Sequence, residues 1–310
     1  MSIRVAAIDC GTNSLRLLVA DVDLEAGTLV DLYRHMEIVR LGQGVDKTGR
    51  LAPEALERTF VVCDRYAEVI RELGAERIRF VATSASRDAE NRDEFVSGVL
   101  ARIGVEPEVV TGDEEARLSF SGATRGLVGA QAPYLVVDIG GGSTEFVLGT
   151  TEPVAARSVD VGCVRLTERY FTDDPPTRAE IDALTETVDA AIAHAGEAVP
   201  LREAATLVGL AGSVTTVTAV ALGLEEYDAS RVHGTRLSAA TVAETSDRLL
   251  AMTHDERAAV TVIHPGRVDV INAGVLVLRR IMAATDQPEV LVSEHDILDG
   301  IAWRLAEASS

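Results

Sequence analysis

The chain has 310 residues and a formal net charge of −20, from 29 basic and 49 acidic side chains. Its length fits two domains, and its composition, 47% hydrophobic and 25% charged residues, excludes global disorder. The acidic balance argues against a general nucleic-acid or anionic-membrane surface, because affinity for such surfaces comes from clustered cations. An anionic substrate would therefore need a local basic pocket or a metal ion.

Signals of export are weak in this sequence. The cysteines, Cys10, Cys63 and Cys163, are widely spaced and predict neither a disulfide framework nor a zinc site. The first residues lead directly into a strand pattern, without the pattern of a signal peptide. The uncharged stretch 204–224 is long enough to span a bilayer, but its glycines and threonines favour a strand, a turn and a buried helix. We expect a cytoplasmic protein with no membrane partner.

Strand and helix patterns alternate along the chain. The first part predicts strands at 4–9, 15–22, 29–41, 77–82 and 108–110, and helices at 53–74, 91–104 and from 113 onward. The second part predicts strands at 134–139, 144–148, 154–160, 206–210 and 289–292, and helices at 164–171, 178–198, 214–222, 270–284 and 297–308. This order favours an α/β architecture with a partly parallel sheet. We predict domains at 1–125 and 126–296, with a C-terminal helix, about 297–310, packing back on the first.

An internal repeat connects the two parts. The segment from Asp9 to Val19 and the segment from Asp138 to Leu148 both have the pattern Asp-x-Gly-x-x-Ser-x-(charged), followed by three apolar residues. Each copy follows an apolar strand and precedes another one. The chain therefore consists of two related halves, each of which opens with a strand, a tight turn and a strand.

The repeated turn is suited to binding phosphate. Gly11 and the run Gly140, Gly141 and Gly142 allow close approach of the backbone, and successive amides in such turns form an anion-binding concavity. Further donors come from Thr12, Asn13, Ser14, Ser143 and Thr144. The aspartates that end the two strands, Asp9 and Asp138, can hold a hard cation such as Mg²⁺ beside a phosphate. Two facing turns would clamp a phosphate chain, whereas two ordinary hairpins are the alternative; the second copy favours phosphate binding.

Three charged residues outside the turns are candidates for the chemistry. Glu114 and Glu115 begin a helix, where an acidic residue complements the dipole, but one of the two can serve as a general base for an attacking water. The residues alone do not choose between them. Arg87 lies near a helix start, where a cation makes sense if it neutralises a ligand oxyanion.

Two features of the second half extend this site. Glu145 lies on the same side of its strand as Ser143, and with Asp138 it could hold Mg²⁺. Gly212 and Ser213 form a second strand-to-helix turn, which could bind the far end of a chain substrate or serve only tight helix packing. Arg267 and Asp269 are expected to form an ion pair. No P-loop and no serine-hydrolase elbow occurs in the sequence.

Several sequence words carry a resemblance to a known family. They lie at 8–17, 82–89, 111–118, 137–145, 209–213 and 265–269. In wording and order they resemble the exopolyphosphatase and guanosine pentaphosphate phosphohydrolase family, in its short two-domain form. That family belongs to the superfamily of actin, Hsp70 chaperones and sugar kinases. The resemblance implies an α/β fold of two ribonuclease H-like (actin-like ATPase) domains with an interdomain cleft.

The resemblance also implies roles for individual residues. It places the general base on Glu115 and a phosphate clamp on Arg87, and it supports Mg²⁺, with Mn²⁺ as the alternative, on Asp138 and Glu145. Asp9 is a third metal candidate from its place in the repeat. Near the C-terminus many relatives carry an arginine where this chain has Asp299, and we expect this change to weaken anion binding at the far end of the substrate.

The expected function is Mg²⁺-dependent hydrolysis of terminal phosphate from inorganic polyphosphate. The negative net charge opposes long-range attraction of a polyanion, which favours short chains. One alternative substrate is guanosine pentaphosphate or a nucleoside triphosphate, and a second alternative is a non-catalytic sensor that binds a guanosine alarmone. No nucleic-acid partner is expected. A homodimer is expected only on general grounds, because the sequence does not fix the oligomeric state.

Overall fold

The computed structural model describes residues 2–308, which form two compact units. The first unit runs to Gly122 and resumes at Asp296; the second unit comprises Ala123–His295. The predicted first domain included residue 1, and the predicted C-terminal helix included residues 309 and 310. These three residues lie outside the described ones.

The first unit is built on a five-stranded sheet. Its strands are β1 (Ile3–Cys10), β2 (Ser14–Asp23), β3 (Thr28–Ile38), β4 (Arg77–Ala82) and β5 (Glu108–Val109). Its helices are α1 (Val45–Thr48), α2 (Pro53–Leu73), α3 (Ser84–Asp88), α4 (Arg92–Ile103), α5 (Gly112–Thr124), which ends just past Gly122, and the C-terminal α13 (Ile297–Glu307). The strand order is β3-β2-β1-β4-β5, and β1, β4 and β5 are parallel.

Alternation along β1 explains why this sheet is covered on both faces. Ala6 and Ile8 belong to the apolar cluster that includes α2 and α4, whereas Val5 and Ala7 belong to the cluster that includes α13. Helix α2 begins with Pro53 at its first position and ends at Gly74, whose φ of 67° suits the left-handed C-terminal position. Strand β3 ends at residue 38 rather than at 41, because the chain turns back there onto the loop that follows β1.

The second unit is built on a six-stranded sheet in the order β10-β11-β9-β6-β7-β8. Its strands are β6 (Tyr134–Ile139), β7 (Thr144–Gly149), β8 (Pro153–Val159), β9 (Thr206–Leu210), β10 (Arg236–Ser238) and β11 (Glu289–Val292). Its helices are α6 (Cys163–Tyr170), α7 (Arg178–Gly196), α8 (Ala211–Ala221), α9 (Ala229–Val232), α10 (Ala239–Ala251), α11 (His254–Ala258) and α12 (Ile271–Thr285).

The two sheets repeat one arrangement. In each unit three antiparallel strands are followed by two that run parallel to the first of them, which gives β3-β2-β1-β4-β5 and β8-β7-β6-β9-β11. The predicted pair of strand–turn–strand segments is confirmed, since β1–β2 and β6–β7 are both antiparallel pairs. The stretch 204–224 forms β9 and, directly after it, α8, so Gly212 and Ser213 of the predicted strand-to-helix turn lie in the first turn of α8. Within residues 2–308, no helix combines the length and the apolarity needed to cross a bilayer.

Candidate active site

Three motifs of the first unit meet at one edge of its sheet. The carboxyl ends of parallel strands lie at the same edge, and β1, β4 and β5 end there. The Thr83 amide donates to the Cys10 carbonyl at 3.1 Å, and the Val110 amide donates to the Ala82 carbonyl at 3.1 Å. The turn after β1, the helix α3 and the start of α5 are therefore neighbours.

The first copy of the repeat is a tight turn whose amides remain available. It is closed by the Gly11 amide, which donates to the Ser14 carbonyl at 2.9 Å. Outside the strand ladders, no hydrogen bond among residues 2–308 uses the amide of Thr12 or Asn13 as donor. The Thr12 hydroxyl is buried and has no hydrogen-bond partner among those residues. Backbone amides that are not used as donors at such a turn can bind an oxyanion.

The carbonyls of the same turn are tied back by the loop 39–44. The Gly42 amide donates to the Thr12 carbonyl at 2.8 Å, and the amides of Val39 and Arg40 donate to the Asn13 carbonyl at 3.1 and 2.9 Å. Gly42 also packs directly on the Thr12 side chain, where a Cβ would overlap it. The sequence analysis had not singled out Gly42 or this loop.

Asp9 is held by an arginine in the first unit. Arg16 is its cross-strand partner, and its Nε and Nη2 donate to Asp9 Oδ2 at 3.0 and 2.7 Å. The same guanidinium, through Nη1, also pairs with the Asp296 carboxylate. Burial raises the pKa of the Asp9 carboxyl, and Arg16 opposes that rise. The prediction that Asp9 is a metal ligand gains no support here, because Arg16 already neutralises it.

Loss of Arg16 should therefore destabilise the first unit strongly. Arg16→Met leaves two buried carboxylates without this cation, and breaking a buried pair by removing one partner costs about 3–5 kcal/mol of unfolding free energy. Chemical denaturation of the variant measures the loss. Arg4→Met is the matched control, because Arg4 pairs with Asp21 on the same two strands but at a more exposed place, and it should lose less. Equal losses would contradict this role of Arg16.

The two predicted catalytic residues lie against each other. Arg87 Nη1 donates to Glu115 Oε2 at 3.2 Å and to the Val110 carbonyl at 2.9 Å. Helix α3 carries the arginine beside the first turn, and the first turn of α5 carries the glutamate. Glu115 is only 8% exposed, so its carboxylate lies in a largely water-excluded position.

The structure distinguishes the two adjacent glutamates. Glu114 faces solvent and pairs with Arg79 at 2.7 Å, and Arg79 also pairs with Glu108 at 2.7 Å. Glu115 is buried and pairs with Arg87. Only Glu115 thus lies next to another candidate residue, which agrees with the role that the family resemblance implies for it.

The second copy of the repeat has the same closure as the first. The Gly140 amide donates to the Ser143 carbonyl at 3.0 Å. Outside the strand ladders, the amides of Gly141, Gly142 and Ser143 are donors in no hydrogen bond of the described residues. Each unit therefore presents one turn with unused amides.

The start of α6 tethers the carbonyls of this second turn. The amides of residues 163–165 donate to the carbonyls of Gly140 and Gly141, and Arg165 Nε donates to the Gly142 carbonyl at 2.7 Å. Gly162, just before this helix, packs so closely that a Cβ would overlap the backbone of Gly141. Because the carbonyls of this turn accept these hydrogen bonds, its amides are the backbone polar groups that remain available to a ligand.

Asp138 and Glu145 form a buried pair of carboxylates. They are cross-strand partners on β6 and β7, with exposures of 7% and 1%. The Ser158 hydroxyl, from β8, donates to Glu145 Oε1 at 2.7 Å. The two carboxylates therefore lie on neighbouring strands at the end of β6 that leads into the triple-glycine turn.

The donor chemistry of this pair fits Mg²⁺. The ion binds through one or two carboxylates and keeps several water or phosphate oxygens. Within residues 2–308 no group of three or more His, Cys, Asp or Glu side chains could hold a metal ion. Asp138 and Glu145 alone are compatible with a site that needs water or substrate oxygens to complete it. In the first unit the equivalent position to Glu145 is Arg16, which reverses the charge.

The predicted turn at Gly212 lies beside the triple-glycine turn. Leu210 is the parallel-strand partner of Asp138, and α8 begins immediately after it. A Cβ on Gly212 would overlap the guanidinium of Arg267, so the two are in direct contact. Ser213 is buried at the same helix start. Arg267 therefore brings a cation to this turn, which the sequence analysis had not assigned to it.

Asp269 and Asp299, which the sequence analysis singled out, both pair with other side chains. Asp269 pairs with His254, with 3.3 Å between the carboxylate and Nε2. Asp299 is buried in the first unit, where it pairs with Arg34 at 2.7 Å and accepts the Asp296 amide at 3.0 Å. This carboxylate thus caps α13 and anchors Arg34, so its presence has a structural reason independent of anion binding.

The structure consists of two α/β units, and each unit opens with the same strand–turn–strand and carries charged residues at one edge of its sheet. This is the arrangement of the two-domain actin-like class. Residues 18–308 match the profile of the Ppx/GppA phosphatase family, and the chain belongs to that family. The resemblance stated from the sequence words is thereby confirmed, and so is the two-domain actin-like fold class.

Three relatives illustrate the similarity. Exopolyphosphatase 2 of Mycobacterium tuberculosis is 51% identical over 314 residues, which is 98% of each chain. The guanosine-5′-triphosphate,3′-diphosphate pyrophosphatase of Photobacterium profundum is 35% identical over 71% of this chain and 44% of its own length. A crystal structure of an exopolyphosphatase-like protein, 44% identical, superposes with a TM-score of 0.95 and covers 99% of this chain and 100% of the other. The roles of individual residues remain predictions.

Proposed function

We infer that this protein is an exopolyphosphatase, which releases terminal phosphate from inorganic polyphosphate by hydrolysis. The observation that carries this inference is the buried Glu115 carboxylate, held by Arg87 beside a turn with unused amides. The full-length similarity to a relative named as an exopolyphosphatase supports the choice of substrate.

Glu115 acts as the general base in this proposal. Hydrolysis of a phosphoanhydride needs a water aligned with the terminal phosphorus and a group that accepts its proton. The Arg87 guanidinium holds this carboxylate in place through the hydrogen bond from Nη1 to Oε2. The alternative, Glu114, is engaged with Arg79 at the surface.

The turn amides and Arg87 stabilise the transferred phosphoryl group. Fixed backbone donors are effective for developing negative charge because they need no reorganisation during the reaction. Thr12 and Asn13 supply such donors on the first unit, the unit that also carries Arg87. Arg87 Nη1 already bonds a carbonyl and Glu115, which leaves other guanidinium N–H groups for an oxyanion.

Asp138 and Glu145 are the residues that would hold a divalent cation, Mg²⁺ or Mn²⁺. A bound ion neutralises phosphate oxygens and acts as a Lewis acid. Ser158 fixes Glu145 through its hydroxyl, so one carboxylate of the pair is oriented by the protein itself.

A guanosine pentaphosphate or nucleoside triphosphate is the second candidate substrate. The Photobacterium relative is named for hydrolysis of guanosine-5′-triphosphate,3′-diphosphate, and the Gly212 turn with Arg267 offers a further cationic position. A purely non-catalytic alarmone sensor is less well supported, because it would not need the Glu115–Arg87 pair.

A panel of phosphate-release assays separates these substrates. We expect the purified protein to release orthophosphate from short polyphosphate chains faster than from nucleotides, and to lose this activity when divalent cations are chelated and recover it with Mg²⁺. Faster turnover of guanosine pentaphosphate would replace polyphosphate as the substrate. Tight binding of these anions with no hydrolysis of any would contradict an enzymatic function.

A further inference from the structure

Gly42 lies where a side chain would have no room. Its φ is outside the left-handed region, so a positive φ is not the reason for a glycine at this position. A Cβ here would overlap the Cγ2 methyl of Thr12 and would lie 3.1 Å from the Cβ of Ala85. Both contacts are closer than the separation of about 3.5–4.0 Å that suits two carbon atoms. The missing side chain therefore lets the loop 39–44 lie directly on the first turn.

The same close packing occurs in the second unit. The segments 39–42 and 159–162 both have the pattern Val-x-apolar-Gly, and they lie at the ends of β3 and β8, the third strands of their units. Gly162 packs on Gly141, which has the place of Thr12 in the repeat, and a Cβ on Gly162 would overlap the Gly141 backbone. A glycine thus contacts the equivalent turn residue in both units, which indicates a role in the turn itself.

The orientation of the Thr12 side chain depends on this packing. Its hydroxyl is buried and has no hydrogen-bond partner among residues 2–308, so contacts of the methyl group determine where the side chain lies. Gly42 is itself held on both sides, since its amide donates to the Thr12 carbonyl at 2.8 Å and its carbonyl accepts the Val45 amide at 3.1 Å. A methyl group added at Gly42 would therefore displace Thr12 and, with it, the amides of the turn.

We propose that Gly42 is a positioning residue for phosphate binding. By leaving room for the Thr12 methyl group, it keeps the amides of Thr12 and Asn13 in the position that binds the anion. The same glycine lies beside Ala85 of α3, the helix that carries Arg87. Preorganised donors must be held to within about 0.5 Å of their productive positions. The identity of the anion rests on the proposed function, whereas the packing of Gly42 on the turn does not.

A double-mutant cycle tests this role, because the overlapping methyl group can be removed. Thr12→Ser deletes Cγ2 and keeps the backbone, so it makes room for the methyl group that Gly42→Ala adds. Tripolyphosphate with Mg²⁺ is titrated by calorimetry into Glu115→Gln protein, which avoids turnover, and into the same protein carrying Gly42→Ala, Thr12→Ser or both. Gly98→Ala is the steric control, since a Cβ there would overlap the ring of Phe60, between α2 and α4.

We expect Gly42→Ala to weaken tripolyphosphate binding at least about tenfold at a temperature where the protein stays folded, which corresponds to one lost hydrogen bond to a charged group. In protein that carries Thr12→Ser, the same substitution should change the affinity by less than about threefold, close to the additivity of independent sites. Gly98→Ala should lower the melting temperature without changing the affinity. Unchanged affinity in Gly42→Ala, an equal loss with and without Thr12→Ser, or an equal loss in Gly98→Ala overturns the proposal.

A second comparison covers the case in which Gly42→Ala does not fold. Thr12→Ser protein and the double variant are then compared alone: equal affinities support the proposal, and a loss of about tenfold in the double variant overturns it.

The outcome stays distinct from that of the proposed function. If the affinities follow the expected order but the wild-type protein hydrolyses no polyphosphate, the hydrolytic function fails and the positioning role stands. If polyphosphate is hydrolysed and Gly42→Ala binds tripolyphosphate as tightly as the parent protein, the positioning role fails and the function stands. Absence of any tripolyphosphate binding to the parent protein overturns both.

Discussion

Glutamine in place of Glu115 is expected to lower kcat for phosphate release by about 10²–10⁴-fold, the usual contribution of a positioned general base. The amide keeps the size of the side chain and can still contact Arg87, but it cannot accept a proton from water. KM should change little, because the turn amides and the cations that bind phosphate are untouched. Steady-state assays on a short polyphosphate chain measure both constants.

Glu114→Gln is the matched control for this substitution. The two residues are adjacent on α5 and the change is chemically identical, but Glu114 faces solvent and pairs with Arg79. We expect kcat of Glu114→Gln to stay close to that of the wild-type protein. A large loss in Glu114→Gln together with full activity in Glu115→Gln would exchange the two assignments.

Removal of either carboxylate of the second unit's pair should weaken metal binding strongly. Loss of an outer-shell partner of a metal ligand costs about 10–100-fold in affinity, so loss of a direct carboxylate should cost at least that much. We therefore expect Asp138→Asn and Glu145→Gln each to bind Mg²⁺ or Mn²⁺ about 100-fold more weakly than the wild-type protein does. Titration of the metal, followed by calorimetry, measures this without reference to activity.

The same substitutions carry an internal check. Thermal melting of each variant in chelator shows whether a loss of metal binding is accompanied by a loss of folding. Asp160→Asn, at an exposed position just after β8, is the control and should leave metal binding unchanged. Metal affinity that survives in both pair variants would place the cation elsewhere.

The repeated turns could be predicted because their geometry is local. An aspartate at a strand end, a glycine and a serine three residues later determine both the turn and the bond from Gly11 to Ser14 and from Gly140 to Ser143. The alternating strands and helices were also evident, since their apolar periods are strong.

Contacts between distant segments could not be predicted in this way. Arg16 and Asp296 are 280 positions apart, and Gly42 packs on Thr12 only because the chain after β3 returns to the turn. The choice between Glu114 and Glu115 likewise depends on where β4 places Arg79 and where α3 places Arg87. Such contacts follow from topology, which a single sequence specifies only indirectly.

Helix α10 was not predicted, for a different physical reason. Its buried face includes Thr245 and Ser246 beside Val242 and Leu249, so the apolar period is diluted by hydroxyl side chains. The ion pair of Arg16 with Asp9 was not predicted, because the repeat pattern specifies only that this position is charged. The first copy has Arg16 there, and the second copy has Glu145.

The central claim is that the first turn, Arg87 and Glu115 act on the terminal phosphate. A crystal structure of the Glu115→Gln protein with Mg²⁺ and tripolyphosphate tests it most directly. We expect the terminal phosphate to accept hydrogen bonds from the Asn13 amide and from Arg87, and we expect Mg²⁺ to be bound by Asp138 and Glu145. Tripolyphosphate bound away from Arg87 and the first turn, or a metal ion bound away from that carboxylate pair, would contradict the account.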